Sequence, residues 1–126
     1  MITLHCKVDN GVISLCTMLR TKSQRREICK DCPVAKVADL VGDSCSLLII
    51  RDVIEKPRRF GELQDSLKGI SSRTLTKKLQ LLEKDGLITR KEYKEHPPRV
   101  EYSATNKGAA LESVIGAMRS YGKKYL

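Results

Sequence analysis

Residues 69–86 read GISSRTLTKKLQLLEKDG and carry the clearest structural signal in the chain. Ser71 can cap a helix, three leucines then recur on one helical face, and Gly86 ends the pattern. A shorter apolar pattern over residues 60–67 precedes it and closes at Gly69. A short helix, a glycine-containing turn and a second helix form a helix-turn-helix unit.

Two further helices are predicted ahead of this unit. Pro33 suits the first turn of a helix whose apolar residues recur at helical spacing, and Gly42 ends it. Asp43 or Ser44 can cap a second helix, which Pro57 stops. The order is therefore helix, helix and then helix-turn-helix.

Two strands and a last helix are predicted after the unit. Residues 87–93 and 99–104 read as strands, joined by KEHPP at 94–98. Thr105 can cap a final helix. A β-hairpin directly after a helix-turn-helix is the wing of a winged helix. The predicted fold class is thus mainly α with a small β-hairpin wing.

The outward side of the fourth helix carries groups suited to DNA. At about 100° per residue, Arg73, Lys77 and Gln80 lie opposite the leucines, and such groups read base edges and phosphates. Residues 71–99 hold eight basic and four acidic side chains, in a chain of formal net charge +9. The predicted contacts with double-stranded DNA are Ser71, Ser72, Arg73, Thr74, Lys77, Lys78, Gln80, Arg90, Lys91 and Arg99.

Other functional classes fit the sequence less well. The chain has no glycine-rich phosphate loop, no Ser-His-Asp pattern and two histidines far apart, so an enzyme is not expected. Neither a secretory leader nor an apolar run of about 20 residues is visible, which predicts a cytoplasmic protein with no membrane partner. A winged-helix module that binds protein or RNA, with a structural zinc site, stays open as the alternative.

Residues 1–31 are predicted to form a cysteine-bearing amino-terminal segment ahead of a winged domain over residues 32–126. Within it, Asn10 and Gly11 lie between apolar residues, which is a hairpin signal for residues 1–18.

Four cysteines, Cys6, Cys16, Cys29 and Cys32, lie in or beside this segment. Two hairpin cysteines and a C-x-x-C can close a four-thiolate site for Zn²⁺ or an iron–sulfur cluster. Alternatively, Cys32 is a redox-sensing thiol with Cys29 as its resolving partner, because a helix start beside basic residues favours the thiolate. Inert thiols are the third interpretation. Cys45 falls in an apolar helix and is predicted to be core.

The apolar face of the last helix has two interpretations. It either folds back on its own domain or pairs with a second chain, and the two-fold symmetry of half-site recognition favours a homodimer on a palindromic operator. The predicted dimer-interface residues are Val34, Val37, Leu111, Val114, Ile115, Met118 and Tyr121.

Several strings resemble the HxlR family of winged-helix transcriptional regulators, which is related in architecture to the MarR group. They are CPV at 32–34, VGD at 41–43, PRRFGEL at 57–63, GISSRTLT at 69–76, LEKDGLI at 82–88, PPRVEYS at 97–103 and TNKG at 105–108.

The resemblance implies a homodimeric DNA-binding regulator without catalytic activity, with the terminal helix and the first family helix at the dimer interface. It also implies that the cysteine at position 32 can sense oxidants or electrophiles, as it does in some members. This chain departs from the family pattern in having Cys45 and Tyr121 where tryptophan is usual, and in carrying residues 1–31.

Overall fold

The computed structural model describes Ser23 and residues 31–126, and the chain divides between Gly42 and Asp43 into two units. Helix α1 (Pro33–Val41) belongs to the first unit. The second contains α2 (Ser44–Glu55), β1 (Arg58–Arg59), α3 (Phe60–Ser66), α4 (Ser72–Lys84), β2 (Ile88–Tyr93), β3 (Arg99–Ala104), α5 (Asn106–Ala109) and α6 (Glu112–Tyr125). This confirms the predicted mainly α fold with a small β wing.

Helix α1 begins and ends where the sequence predicts. Cys32 occupies the amino-terminal cap position, Pro33 lies in the first turn and Gly42 is the carboxy-terminal cap. The predicted domain boundary after residue 31 stays a prediction, and the division into two units falls after α1. The hairpin predicted over residues 1–18 lies outside the described residues.

The core of the second unit is aliphatic and joins the helices to the wing. Its fully buried side chains are Ile49, Ile50, Leu63, Leu75, Leu79, Leu82, Leu87 and Ile88. They come from α2, α3, α4 and the start of the wing, so the helix-turn-helix and the base of the wing share one core. Within the described part of the chain, no helix is long and apolar enough to cross a membrane.

A buried carboxylate fixes α3 against α2. The side chain of Asp52 accepts a hydrogen bond from the Ser66 hydroxyl at 2.5 Å and pairs with Arg51 at 2.8 Å. The backbone carbonyl of Asp52 accepts a further bond from Arg58 Nε at 3.2 Å. Since a buried charge is stable only when it is paired and hydrogen-bonded, these contacts hold the end of α3 and the strand before it in one arrangement.

The wing is part of a three-stranded antiparallel sheet in the order β1-β3-β2. β2 and β3 pair along their whole length, from Ile88 opposite Ala104 to Tyr93 opposite Arg99. The sequence did not predict β1, because two arginines after a proline show no alternation. Only the pairing of β1 with β3 makes it a strand.

The final helix was predicted as one element, and the structure corrects this to two, α5 and α6. The Thr105 hydroxyl caps α5 by accepting from the Gly108 N–H, and it donates to the Gly86 carbonyl at 2.6 Å. A Cβ at Gly108 would lie 2.0 Å from the Leu87 carbonyl oxygen, so α5 and the wing base meet backbone to backbone. The break lets α5 stay at that contact while α6 packs on α2.

Candidate nucleic-acid interface

The turn between α3 and α4 fixes how α4 begins. Gly69 has a φ of 89°, a conformation that other residues rarely adopt. The Ser71 hydroxyl then caps α4 by accepting from the Thr74 N–H at 3.1 Å. Across the turn, Gln64 Nε2 donates to Ser72 Oγ at 3.0 Å. The first turn of α4 is therefore held both by its own cap and by α3.

One face of α4 is open and has no polar partner among the described residues. Arg73, Lys77 and Gln80 are exposed, on the side opposite the buried leucines. Within residues 31–126, none of these three side chains makes an ion pair or a side-chain hydrogen bond. Two cations and an amide thus lie together on the surface with all of their polar groups available.

The other predicted contact residues of α4 are already engaged. Ser71 and Ser72 make the hydrogen bonds described above, and Thr74 Oγ1 accepts from the Ser71 hydroxyl at 2.9 Å. Lys78 Nζ lies 2.8 Å from Asp43 Oδ2, in an ion pair with the residue that caps α2. These residues stay predicted DNA contacts, but each would have to share or exchange its present partner.

The wing arginines are partnered by glutamates. Arg90 pairs with Glu92 at 2.6 Å, and its pKa is raised by the hydrogen bond to Glu92 and by a second to Tyr102. Arg99 lies 3.5 Å from Glu95, and its guanidinium stacks 4.2 Å from the centre of the Tyr93 ring.

The remaining wing cations are less restrained. Lys91 Nζ lies 4.9 Å from the Tyr93 ring centre. Lys94 is exposed in the loop at the tip and makes no ion pair within residues 31–126. The wing thus offers two ammonium groups without a carboxylate partner in the described residues, in addition to its two paired arginines.

Helix α4 and the wing border a common groove of about 530 Å³. Gln80 and Arg90, both predicted DNA contacts, lie on its two sides, and Phe60 and Val100 contribute apolar surface. The groove therefore brings together one predicted contact residue of α4, Gln80, and one of the wing, Arg90.

The predicted dimer residues divide into two groups. Leu111 and Ile115 are buried within the chain itself, and their part in a dimer interface stays a prediction. Val114 is half-buried, whereas Val34, Met118 and Tyr121 are exposed by 67%, 50% and 61%. Val37 in α1 is half-buried.

Of the four clustered cysteines, the structure describes one, Cys32. Cys6, Cys16 and Cys29 lie outside the described residues, and the described chain contains no group of three or more metal-ligating side chains. Cys32 is a free thiol, 7% exposed. The prediction that Cys45 is core is corrected, since it is only half-buried and lines an open cavity of about 590 Å³ with Leu48 and Ile70. The cavity lies where α2 meets the helix-turn-helix turn.

A helix-turn-helix with an exposed basic recognition face, followed by a β-wing that borders the same groove, defines the winged-helix class of DNA-binding proteins. The chain belongs to the HxlR-like helix-turn-helix family, whose model matches residues 40–126. The family resemblance stated from the sequence is thereby confirmed.

Comparison with individual proteins agrees with this assignment. The chain is 43% identical over 95 residues to the uncharacterized HTH-type transcriptional regulator sll1512 of Synechocystis sp., covering 75% of this chain and 70% of that protein.

Among solved structures, a MarR-family transcriptional regulator of Porphyromonas gingivalis W83 matches with a TM-score of 0.73 and 37% identity, over 77% of this chain and 95% of that one. The redox regulator HypR in its oxidized form matches with a TM-score of 0.71 and 34% identity, over 75% and 98%. The protein is accordingly a transcriptional regulator of the HxlR and MarR type.

The cap at Ser71 gives a testable prediction about the stability of the fold. Ser71→Ala removes the cap and should lower the free energy of unfolding by about 1 kcal/mol. Ser71→Asp keeps a cap and places a carboxylate at the helix amino terminus, so stability should be retained. Denaturant unfolding measures both variants, and an equal loss of stability in the two would contradict the role of Ser71 as a cap.

Proposed function

We propose that this regulator acts in the cytoplasm by binding double-stranded DNA as a homodimer, and not by catalysis. In this proposal α4 enters the major groove and the wing contacts the flanking backbone of a two-fold symmetric operator. The observation that carries it is the outward face of α4, where Arg73, Lys77 and Gln80 lie exposed without partners in the described chain.

The chemistry of this face suits base and phosphate contacts together. Arginine can bind guanine with two hydrogen bonds, and glutamine can do the same with adenine. Arg73 lies in the first turn of α4, the part of a recognition helix that reaches base edges. Since these side chains have no internal partner, binding DNA breaks no contact within the described protein.

Reversing the charge of this face should abolish binding. The double variant Arg73→Glu/Lys77→Glu is expected to lose roughly 100-fold or more in affinity for duplex DNA, since each contact contributes about 1–3 kcal/mol. Lys56→Glu/Lys123→Glu makes the same change in net charge at exposed sites outside α4 and the wing, and it serves as the control. Fluorescence anisotropy with a duplex selected by the wild-type protein from a random pool measures both.

Equal losses in the two double variants would show that only net charge matters and would defeat the proposal. A shallow dependence of wild-type affinity on salt would also oppose it, because an interface that neutralises phosphates releases counterions. A protein or RNA ligand whose binding survives the Arg73→Glu/Lys77→Glu change would favour the alternative module.

The homodimer is supported by a stripe on α6. At about 100° per residue, Val114, Met118, Tyr121 and Tyr125 fall on one side of the helix, beside the buried Ile115. Met118, Tyr121 and Tyr125 are exposed by 50%, 61% and 62%, and the two tyrosine rings lie 4.9 Å apart. Large apolar side chains grouped on one surface are typical of a protein interface.

Charge placed in this stripe should separate the subunits. Met118→Glu/Tyr121→Glu is expected to shift the protein from dimer to monomer in sedimentation velocity, because each subunit would bury charge against its copy. Ser113→Glu/Ser120→Glu adds the same charge at exposed sites about 120° around α6 from the stripe and should stay dimeric. A dimer that survives the first change would place the interface elsewhere.

Redox control through Cys32 is the regulatory part of the proposal. The structural similarity to a protein named redox regulator HypR supports it, as does the place of Cys32 at the cap position of α1. Because this thiol is 7% exposed, added oxygen or sulfur atoms have little room there, and the start of α1 must rearrange to take them.

The chemistry is a two-step oxidation by a hydroperoxide. The Cys32 thiolate attacks the peroxide oxygen and becomes a sulfenic acid, while the peroxide is reduced to an alcohol. The Cys29 thiol then attacks the sulfenic sulfur, forming a disulfide and releasing water.

Peroxide treatment should weaken operator binding by the wild-type protein, and a dithiol reductant should restore it. Cys32→Ser is expected to bind with unchanged affinity whether or not peroxide is present, whereas Cys45→Ala, which removes the half-buried thiol, should respond like the wild type. Mass spectrometry of tryptic peptides identifies the oxidised residue. A full peroxide response in Cys32→Ser would exclude Cys32 as the sensor.

A further inference from the structure

Lys78 differs in position from the other cations of α4. It lies about 100° around the helix from Lys77, on the flank toward the buried Leu75 and Leu82. Its side chain is 27% exposed, and its Nζ donates to Asp43 Oδ2 at 2.8 Å. The ammonium group is thus directed to α2 and not to the open face.

Asp43 is also held in place by hydrogen bonds from α2 itself. Its Oδ1 accepts from the Ser46 N–H at 2.8 Å, and its Oδ2 accepts from the Ser46 hydroxyl at 3.0 Å. The carboxylate is therefore the amino-terminal cap of α2, whose residues Ile49 and Ile50 are fully buried. Lys78 therefore pairs with a carboxylate whose position is fixed by α2.

The pair is charged at neutral pH. Partial burial raises the pKa of Asp43, but hydrogen bonds from Lys78 and Ser46 outweigh it and hold the pKa below its ordinary value. A carboxylate with a lowered pKa keeps its contribution above the ordinary value and loses it only as the pH falls through the lowered one. Throughout the neutral range the two helices are joined by a full ion pair.

We infer that Lys78 is a positioning residue and not a DNA contact: the buried leucines fix α4 broadly, and the ion pair of Lys78 with Asp43 adjusts the rotation of α4 about its axis and so the angle at which Arg73 and Lys77 meet the base edges. This inference rests on the proposed DNA-binding function. Base readout tolerates only small displacements of the contacting groups, so a slight rotation of α4 weakens it. An ion pair this exposed adds little to folding stability, which also limits its effect on affinity to roughly fivefold.

The two roles of Lys78 predict opposite effects for Asp43→Asn. Asparagine caps a helix as well as aspartate does, so α2 is preserved while the ion pair is lost. If Lys78 positions α4, Asp43→Asn weakens DNA binding. If Lys78 binds a phosphate, Asp43 competes with the DNA for it, and Asp43→Asn leaves affinity unchanged or increases it.

The experiment is a double-mutant cycle of Asp43→Asn and Lys78→Gln. Affinity is measured by anisotropy on the duplex selected by the wild-type protein and on a random-sequence duplex, at salt concentrations from about 50 to 200 mM. Denaturant unfolding of each variant checks that the fold is retained. Lys78→Arg, which preserves the ion pair, is the matched conservative variant and should bind like the wild type.

A positioning role predicts that each single variant loses roughly fivefold on the selected duplex and that the double variant loses no more than either single variant. The affinity for random duplex and the slope of log affinity against log salt should stay unchanged, since no phosphate contact is lost.

Three results would overturn the inference: tighter or unchanged binding by Asp43→Asn, additive losses in the double variant, or a salt slope that falls by about 1 in Lys78→Gln. In each case the Arg73→Glu/Lys77→Glu variant still reports separately on the proposed function. If the wild-type protein selects no duplex at all, the proposed function and this inference fall together.

Discussion

Burial of Leu75, Leu79 and Leu82 on one side of α4 sets the direction of every other side chain on that helix. Each buried leucine stabilises the fold by about 1.5–3 kcal/mol. A large rotation of α4 would expose these leucines, and the free energy lost would exceed what a surface contact contributes. The same burial forces Arg73 and Lys77 outward. An exposed ion pair such as Asp43–Lys78 contributes about 0–1 kcal/mol, which is enough to adjust the helix within its seat but not to move it.

The orientation of α4 depends on two polar anchors as well as on this apolar seat. Asp52 joins α2 to the end of α3 through Ser66, and Gln64 joins α3 to the start of α4 through Ser72. The two hydrogen bonds attach α3 to α2 on one side and to α4 on the other, so α3 links the core helix to α4. A displacement of α2 would therefore be transmitted to α4, which carries the proposed DNA-binding face.

Most of the helices and strands could be predicted because their signals are local. The leucine spacing of α4, its cap at Ser71 and the prolines and glycines at helix ends depend on neighbours in sequence. β1 and the break between α5 and α6 depend instead on distant partners: Arg58 becomes a strand residue only opposite Tyr102, and Gly108 is held by the Leu87 carbonyl. The burial of Leu111 and Ile115 could not be predicted either. The last helix packs on α2, and its apolar spacing does not show which element it will pack against.

The ion pairs of the candidate site could not be predicted from the sequence either. Sequence counts the cations of α4 and the wing, but it does not show which of them already have partners. Arg90 is paired with Glu92 and Arg99 lies beside Glu95, whereas Arg73 and Lys77 make no ion pair within residues 31–126. A phosphate that binds a paired arginine must displace a carboxylate, so part of the attraction is offset. In the proposed complex, the cations without a carboxylate partner in the described residues, Arg73 and Lys77 on α4 and Lys91 and Lys94 in the wing, would bind phosphate without displacing one. Arg90 and Arg99 would contribute less, because each would first have to release a glutamate.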